Sequence, residues 1–504
     1  MPIGPLPSLP KFRTDLVTRR LCATAHLDPW FTREVLAEYA EDGLQAVGLP
    51  VGVNVIALVR HARLSESRLL RRDRALAALL ALLLALLATV VLSLSAGRTP
   101  VATGALAGVL AVFAAALVVV HRALWSAWQL ALELGDGQQS ALALAPPVDP
   151  ALEQRLASLK RVNLVVYHES VAAQNPFVGS GWRISETVWT PINVGRPAKD
   201  AAGNPQTPIP FTAADLHGQV ARRIAKASGL DGLSVRNRLY VKGHFVSQLP
   251  GALPDPTQRP LSVIDSDWVK AGAAQPTSGL ETYLCLRAIG EGGKVVVSMH
   301  ARAQLNHPLL TWEINAYVLP PLGTRFLRPN RLVAGPLRLR FRAAEDALRT
   351  TPGLLFGSAR ALLRRSLDTA SGARALEKTR REIRKGYASY DYGTTNSLRE
   401  RAASWTQMGF AERRDAATYF KLMVQAVLSS TQEFLEAHRI DTFDLDAQQQ
   451  QIITTQTTIF NGNISQSVIG GANNVQNNQG PVAPPGGGSS SGQQSGAAAP
   501  AATP

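Results

Sequence analysis

Cysteine is nearly absent: Cys22 and Cys285 are the only two in 504 residues, and they lie far apart. They form no CxxC pair and no disulfide framework, which suits a reducing compartment and leaves each as a small buried hydrophobe. Catalytic signatures are missing too. There is no GxSxG elbow between a strand and a helix, no Walker loop, no HExxH and no GxGxxG after a strand. The nine histidines are scattered, and the neighbouring His300 and His307 straddle a turn between two expected strands. No catalytic residue, metal site or cofactor is therefore assigned. Aromatics are 6% of the chain. In its most basic stretch they are few (Phe326, Phe341, Phe356, Tyr387, Tyr390 and Tyr392), which disfavours a surface that stacks nucleic-acid bases.

What the chain does have is two long runs without a charge, residues 75–96 and 101–120, joined by Gly97-Arg98-Thr99-Pro100. As helices, each is long enough to cross about 30 Å of hydrocarbon. Lipid offers the backbone no hydrogen-bond partner, so a helix is the form such runs take in it. The short connector returns the second helix to the side the first came from, placing both flanks on one face. No signal peptide is read, because the first apolar run starts 75 residues in. Gly104 and Gly108 form a GxxxG, either a close-packing device or a product of an Ala- and Gly-rich composition. His121, Arg122, Trp125 and Trp128 then make an interfacial belt.

The formal charge of +15 is unevenly placed. Residues 325–401 hold 18 Lys plus Arg against 7 Asp plus Glu, and six arginines from Arg60 to Arg74 precede the first apolar run. The connector carries Arg98 alone. By the positive-inside rule both flanks, and with them both termini, belong in the cytoplasm. Arg60, Arg68, Arg71, Arg72, Arg74, Arg122, Arg360, Arg364 and Arg365 become candidates for anionic lipid headgroups, each worth about 1 kcal/mol near such a surface. The plainer reading is a solvated helix face.

Residues 12–74 read as helical. Asp28-Pro29 opens one helix as cap and first residue, with Trp30, Phe31, Val35, Leu36 and Tyr39 as its apolar stripe. The cluster at 146–150 ends the lead-out helix. Strands follow at 162–168, 181–194, 236–248, 281–289, 294–303 and 308–319, with a tight hairpin at Glu291-Gly292-Gly293. Between the second and third, Thr212 and Asp215 cap a helix whose stripe is Leu216, Val220, Ile224 and Ala225. Residues 337–388 read as helix interrupted at Pro352-Gly353, and another helix pair lies between 394 and 438.

Two segments carry peculiar chemistry. In residues 175–182, Pro176 restrains a turn while Gly179 and Gly181 can take positive φ. Such a loop can offer backbone N–H groups to an anion, so Asn175, Gly179, Ser180, Gly181 and Arg183 are the candidate ligand-binding residues. The competing reading is a turn that leads Trp182 into the core. In the tail, Asn461-Gly462 signals a hairpin inside an Asn-rich stretch able to pair with other copies, with disorder as the alternative.

The stretches Asn163-Leu164-Val165-Val166-Tyr167, Asn175 to Gly181, Arg238-Leu239-Tyr240-Val241 and Tyr390-Asp391-Tyr392-Gly393 resemble a group of actinobacterial two-helix membrane proteins. So do Leu253-Pro254-Asp255-Pro256 and the start Thr18-Arg19-Arg20-Leu21-Cys22. The resemblance implies a bacterial plasma membrane and assigns no activity, ligand or catalytic residue. The expected architecture is an α+β membrane protein: an N-terminal cytoplasmic helical region (1–74), a transmembrane helical hairpin (75–120), and a lead-out helix with a Pro-rich linker (121–150). An α+β domain with a mainly antiparallel sheet (151–330) and a basic helical region (331–445) come next. An Asn-rich β-prone segment (446–480) and a disordered tail (481–504) end it. The function expected is a membrane-anchored cytoplasmic scaffold or sensor touching the bilayer and self-associating through its C-terminal segment. The alternative is a membrane-bound enzyme or small-ligand domain using the 175–182 loop.

Overall fold

A computed structural model describes residues 15–443, 445 and 452, without 137, 173–174, 228–232, 332–335 and 387–389. The expected Asn-rich segment, Ile452 apart, and the expected disordered tail lie outside the described residues.

The chain opens with α1 (Leu16–Leu27) and α2 (Pro29–Tyr39). Asp28 caps α2 as its sequence signalled, its carboxylate accepting from the N–H groups of Trp30 and Phe31 at 3.0 and 3.3 Å. Phe31, Val35, Leu36 and Tyr39 are buried. Trp30 is not: it lies 67% exposed and donates its indole N–H to Glu34, so the apolar stripe begins one residue later than the periodicity suggested.

Two long helices follow, α3 (Val55–Ser95) and α4 (Thr99–Asp136), packed antiparallel along their length. Asn54 caps α3, and Gly97 turns the chain between them at φ +67°, a conformation that favours glycine. Both helices are long and apolar enough to cross a membrane. Each contains one uncharged run and continues past it, so α3 carries the preceding arginines on the same rod. The lead-out helix ends at Asp136, ten residues before the proline cluster. Asp149 and Pro150 instead cap and start α5 (Pro150–Ser158).

The sheet contains β1 (Leu164–Tyr167), β2 (Trp182–Val188), β3 (Ile192–Asn193), β4 (Leu233–Lys242), β5 (Leu280–Gly290), β6 (Val295–Asn306) and β7 (Leu309–Leu319). Their order is β1-β4-β5-β6-β7-β2, with β3 beside β7. Every pairing is antiparallel except β1 with β4, which makes the sheet mixed with an antiparallel majority. The expected strand 181–194 divides in two around Trp189-Thr190-Pro191, where a proline has no N–H to give a ladder. The expected strand 236–248 ends at Lys242 and turns away.

Alternation along the strands supplies two cores. On β6, Val295, Val297, Met299, Ala301 and Ala303 face one side with Trp312 and Ile314 of β7. That side is covered by α7 (Ala213–Ala227) and α11 (Phe410–Ala437). Thr212 and Asp215 cap α7 reciprocally, as expected. The other side gathers Tyr240, Tyr283, Cys285, Val296 and Tyr317 under Leu49, Val51, Phe177 and Val178. Thus the N-terminal part of the chain roofs the sheet.

Besides α6 (Glu169–Ala172) and α8 (Ser266–Ala274), two helices complete the described chain. One is α9 (Pro336–Arg384), which runs through Pro352 where the sequence suggested an interruption. Ala347 and Leu355, on either side of that proline, both pack against α3 and α4, and this burial holds the turns together. The other is α10 (Leu398–Arg401), four residues long, which together with α11 takes the place of the expected helix pair.

Candidate functional site

The 175–182 loop takes the geometry its residues allow. Asn175 folds an Asx turn, accepting from the Phe177 N–H at 3.0 Å and donating to the Gly181 carbonyl at 3.3 Å. Gly179 and Gly181 stand at φ +95° and +90°. A Cβ on Gly181 would lie 2.4 Å from the Val318 carbonyl oxygen, so glycine is required there twice over. The loop does present N–H groups to an anion, and that anion is internal. Gly181 N–H donates to Glu400 Oε1 at 2.8 Å, and Gly179 N–H donates to the same carboxylate. Ser397 N–H reaches Glu400 Oε2 at 3.1 Å, closing a capping box on α10. Burial pushes the Glu400 carboxyl up, and these N–H bonds pull it back.

Ser180 points the other way. Its hydroxyl lies 2.9 Å from His300 Nε2, and His300 Nδ1 lies 3.3 Å from both Cys285 Sγ and the Tyr240 hydroxyl. Cys285 and His300 are directly paired across β5 and β6. Phe177 stacks on the imidazole at 4.2 Å. Serine beside histidine has the outline of a nucleophile and its base. All four polar residues are buried, so no substrate reaches them. Desolvation, then the Arg287 and Arg238 charges, hold His300 well below its usual range, and it stays neutral at pH 7. Geometry makes this a hydrogen-bonded core cluster.

Arg183 does not join the loop's chemistry; on β2 it pairs with Glu186 at the surface. A cavity of about 300 Å³ brings Asn175 and Gly181 together with Trp182, Glu400 and Arg401. Arg401 pairs with Glu38 at 2.7 Å, and Arg399 of the same short helix donates to the carbonyls of Gly293, Lys294 and Pro320. Burial draws the Arg399 guanidinium down to about 9. Thus α10 ties α2, the β5–β6 turn and the 175–182 loop into one body. Reading by motif missed Glu400 and Arg399. The signal was present as Ser397-Leu398-Arg399-Glu400, a capping-box pattern.

The arginine candidates divide. Arg71, Arg74, Arg122, Arg360 and Arg364 are exposed. The other four are engaged within the protein: Arg60 with Glu153, Arg68 with His26, Arg72 with Asp73, and Arg365 with Asp73.

A larger cavity, about 560 Å³, opens between α7, α8 and the sheet, with Phe211, His217, Arg222, Asn237, Lys270 and His438 among its lining. His217 Nε2 accepts from the Ala303 N–H at 2.9 Å, so its Nδ1 carries the hydrogen. Among the described residues neither that Nδ1 nor the buried Asn237 Oδ1 has a hydrogen-bond partner. Burial draws His217 down to about 4.

The family model described as AbeC-like domain matches residues 181–476 of this chain. The match begins at Gly181 and takes in β2 to β7, α9, α10 and α11, while the α3–α4 pair lies before it. No curated protein and no solved structure matches the chain.

Proposed function

The chain belongs to the AbeC-like domain family, and from that premise we propose a membrane-anchored scaffold or sensor whose folded domain works at one membrane face. The observation that carries this reading is the uncovered apolar surface of α3 and α4. Leu84, Val91, Leu92, Leu106 and Leu110 are all exposed, Leu92 at 68% and Leu110 at 67%. A continuous apolar band of this extent is untenable in water and natural in hydrocarbon. Arg71, Arg74 and Arg122 rim it at the end facing the folded domain, where anionic headgroups at the cytoplasmic leaflet would meet them. The 175–182 loop, already filled by Glu400, speaks for a structural role there.

Alkaline carbonate extraction of membranes from expressing cells tests the anchor. The full chain is expected in the pellet, and a chain lacking residues 75–120 in the supernatant. Assembly through the Asn-rich segment is the scaffold half of the proposal, supported by the Asn461-Gly462 signal and by a family match that runs on to residue 476. Ile452 is buried in the main core, so the cut belongs after it. Removing residues 454–504 is expected to reduce the native mass of the complex in detergent; an unchanged mass ends that half.

The sensor half rests on the 560 Å³ cavity with its unpartnered His217 Nδ1 and Asn237 Oδ1. A small polar molecule offering an acceptor to the first and a donor to the second fits there. Native mass spectrometry of the purified chain would show it as an adduct that His217→Phe abolishes.

A further inference from the structure

The long helix α9 carries ten uncharged residues, 350–359, between Arg349 and Arg360, with Pro352-Gly353 in their first half. Its contacts trace a path along the hairpin. Near its start, Arg340 lies over the Trp125 ring at 5.3 Å. At its middle, Phe356 packs on Phe113 at 6.4 Å, and Leu355 enters a cluster with Leu76, Leu83, Val109, Val112 and Ala116. Further on, Arg365 pairs with Asp73 at 2.9 Å, and Asp368 pairs with Arg33 of α2.

Helical rise turns these contacts into depths. Phe113 is twelve residues, about 18 Å, further along α4 toward the connector than Trp125. Leu83 is ten residues, about 15 Å, beyond Asp73 on α3. Arg340 and Arg365 therefore meet residues near the borders of the uncharged runs, at the hairpin's domain end, and Phe356 between them meets a residue well inside. Pro352, which has no N–H for the helix ladder, is the point at which such a helix bends most easily.

The segment is also equipped for hydrocarbon. The hydroxyls of Thr350, Thr351 and Ser358 donate to the Asp346, Ala347 and Leu355 carbonyls of their own helix. Thr89 and Thr103 of the hairpin do the same. Its outward Phe356 is 56% exposed, and Leu348, just before it, is 67% exposed. Arg349, Arg360 and Arg364 stand on either side of the apex, within reach of headgroups by snorkelling.

We propose that residues 350–359 of α9 form a third membrane-embedded element, a stretch that dips into the leaflet beside the α3–α4 hairpin and packs lipid acyl chains against Leu348, Phe356 and Leu363. This rests on the anchor reading of α3 and α4 and extends it to a part of the family-matched domain.

Both native cysteines are buried, so single introduced cysteines can be labelled selectively. In the full chain reconstituted in liposomes, Phe341→Cys, Leu348→Cys, Phe356→Cys, Leu363→Cys and Leu367→Cys would each carry an environment-sensitive fluorophore. Doxyl groups at two acyl depths would quench it. Leu110→Cys on the hairpin and Val188→Cys on β2 are the embedded and aqueous references. The expected profile is V-shaped: Phe356→Cys quenched most strongly by the deeper doxyl, its neighbours by the shallower one, and Val188→Cys by neither. Equal shallow quenching at all five positions, as for a helix lying on the surface, overturns the embedding. So does behaviour matching Val188→Cys while Leu110→Cys is quenched, which leaves the anchor intact. Loss of quenching at Leu110→Cys as well overturns both readings. If Phe356→Cys does not fold, Leu348→Cys and Leu363→Cys against the two outer positions still separate a V from a flat line.

Discussion

Glu400 accepts N–H bonds from Gly179, Gly181 and Ser397, so its carboxylate occupies the nest that the two positive-φ glycines create. Removing it leaves buried donors without an acceptor, each costing about 1–3 kcal/mol. Glu400→Ala is expected to lose about 2–4 kcal/mol in chemical denaturation of the detergent-solubilised chain, and Glu400→Gln, which keeps one oxygen, less. Histidines give the same scale a pH dependence. Burial holds His26 and His300 well below the usual range and His217 at about 4, so the folded chain keeps them neutral. Unfolded, each takes up a proton below about pH 6.5. The unfolded state then binds more protons, so stability is full above that pH and falls between about 6.5 and 4. Glu400, shifted upward, has the opposite slope, confined to the range above its unfolded value of about 4.3. The melting temperature is expected to drop from pH 7.5 to pH 5, steepest below 6.5; a flat profile would contradict burial of these rings. Much of the loop was legible from residue type, because Gly-x-Gly beside an Asn-Pro turn states which N–H groups are displayed. The anion they meet was not legible, since Glu400 lies 219 positions from Gly181 and only the folded sheet brings the two together.

Elements were legible wherever one local rule ruled alone. Asp28-Pro29 started α2 because a carboxylate cap and a residue without N–H satisfy a helix start regardless of context. The strand at 294–303 was legible as a strand, and the fold adds that both faces of its sheet are buried, against different cores. Rules failed where tertiary packing outweighed them. Pro352 promised a break, yet Ala347 and Leu355 hold α9 against the hairpin on both sides of it. Trp30 fitted the helical period but fell on the rim. Docking of α9 also depends on Asp73, which is almost fully buried and is shared by Arg72 and Arg365. Removing one member of a buried pair leaves an uncompensated charge, costing about 3–5 kcal/mol. Since Arg365 itself is partly exposed, Asp73→Asn is expected at the low end of that range. Its readout is local: α9 should become more susceptible to trypsin between Arg360 and Arg384, while Arg33→Ala, which removes an exposed pair with Asp368, should leave the cleavage rate nearly unchanged.

At the scale of the whole molecule, the hairpin and the folded domain make one topological statement. Gly97 and Arg98 turn the chain at the tip, and described residues from before α3 and after α4 pack into one body: Leu21, Phe31 and Leu58 share a core cluster with Leu134, Leu156, Leu322 and Leu398. Were α3 and α4 to span a bilayer, that body could occupy only one side, because residues from both ends of the hairpin interlock in a single core. The lone charge of the tip, Arg98, would then stand on the opposite side. An Arg98→Cys chain in intact cells is expected to react with a membrane-impermeant maleimide added outside, whereas Val188→Cys on β2 should react only after lysis. Cys22 and Cys285 are buried and add no background. Labelling of both positions before lysis would break the link between hairpin and topology, and labelling of Val188→Cys alone would invert the orientation read from the arginines.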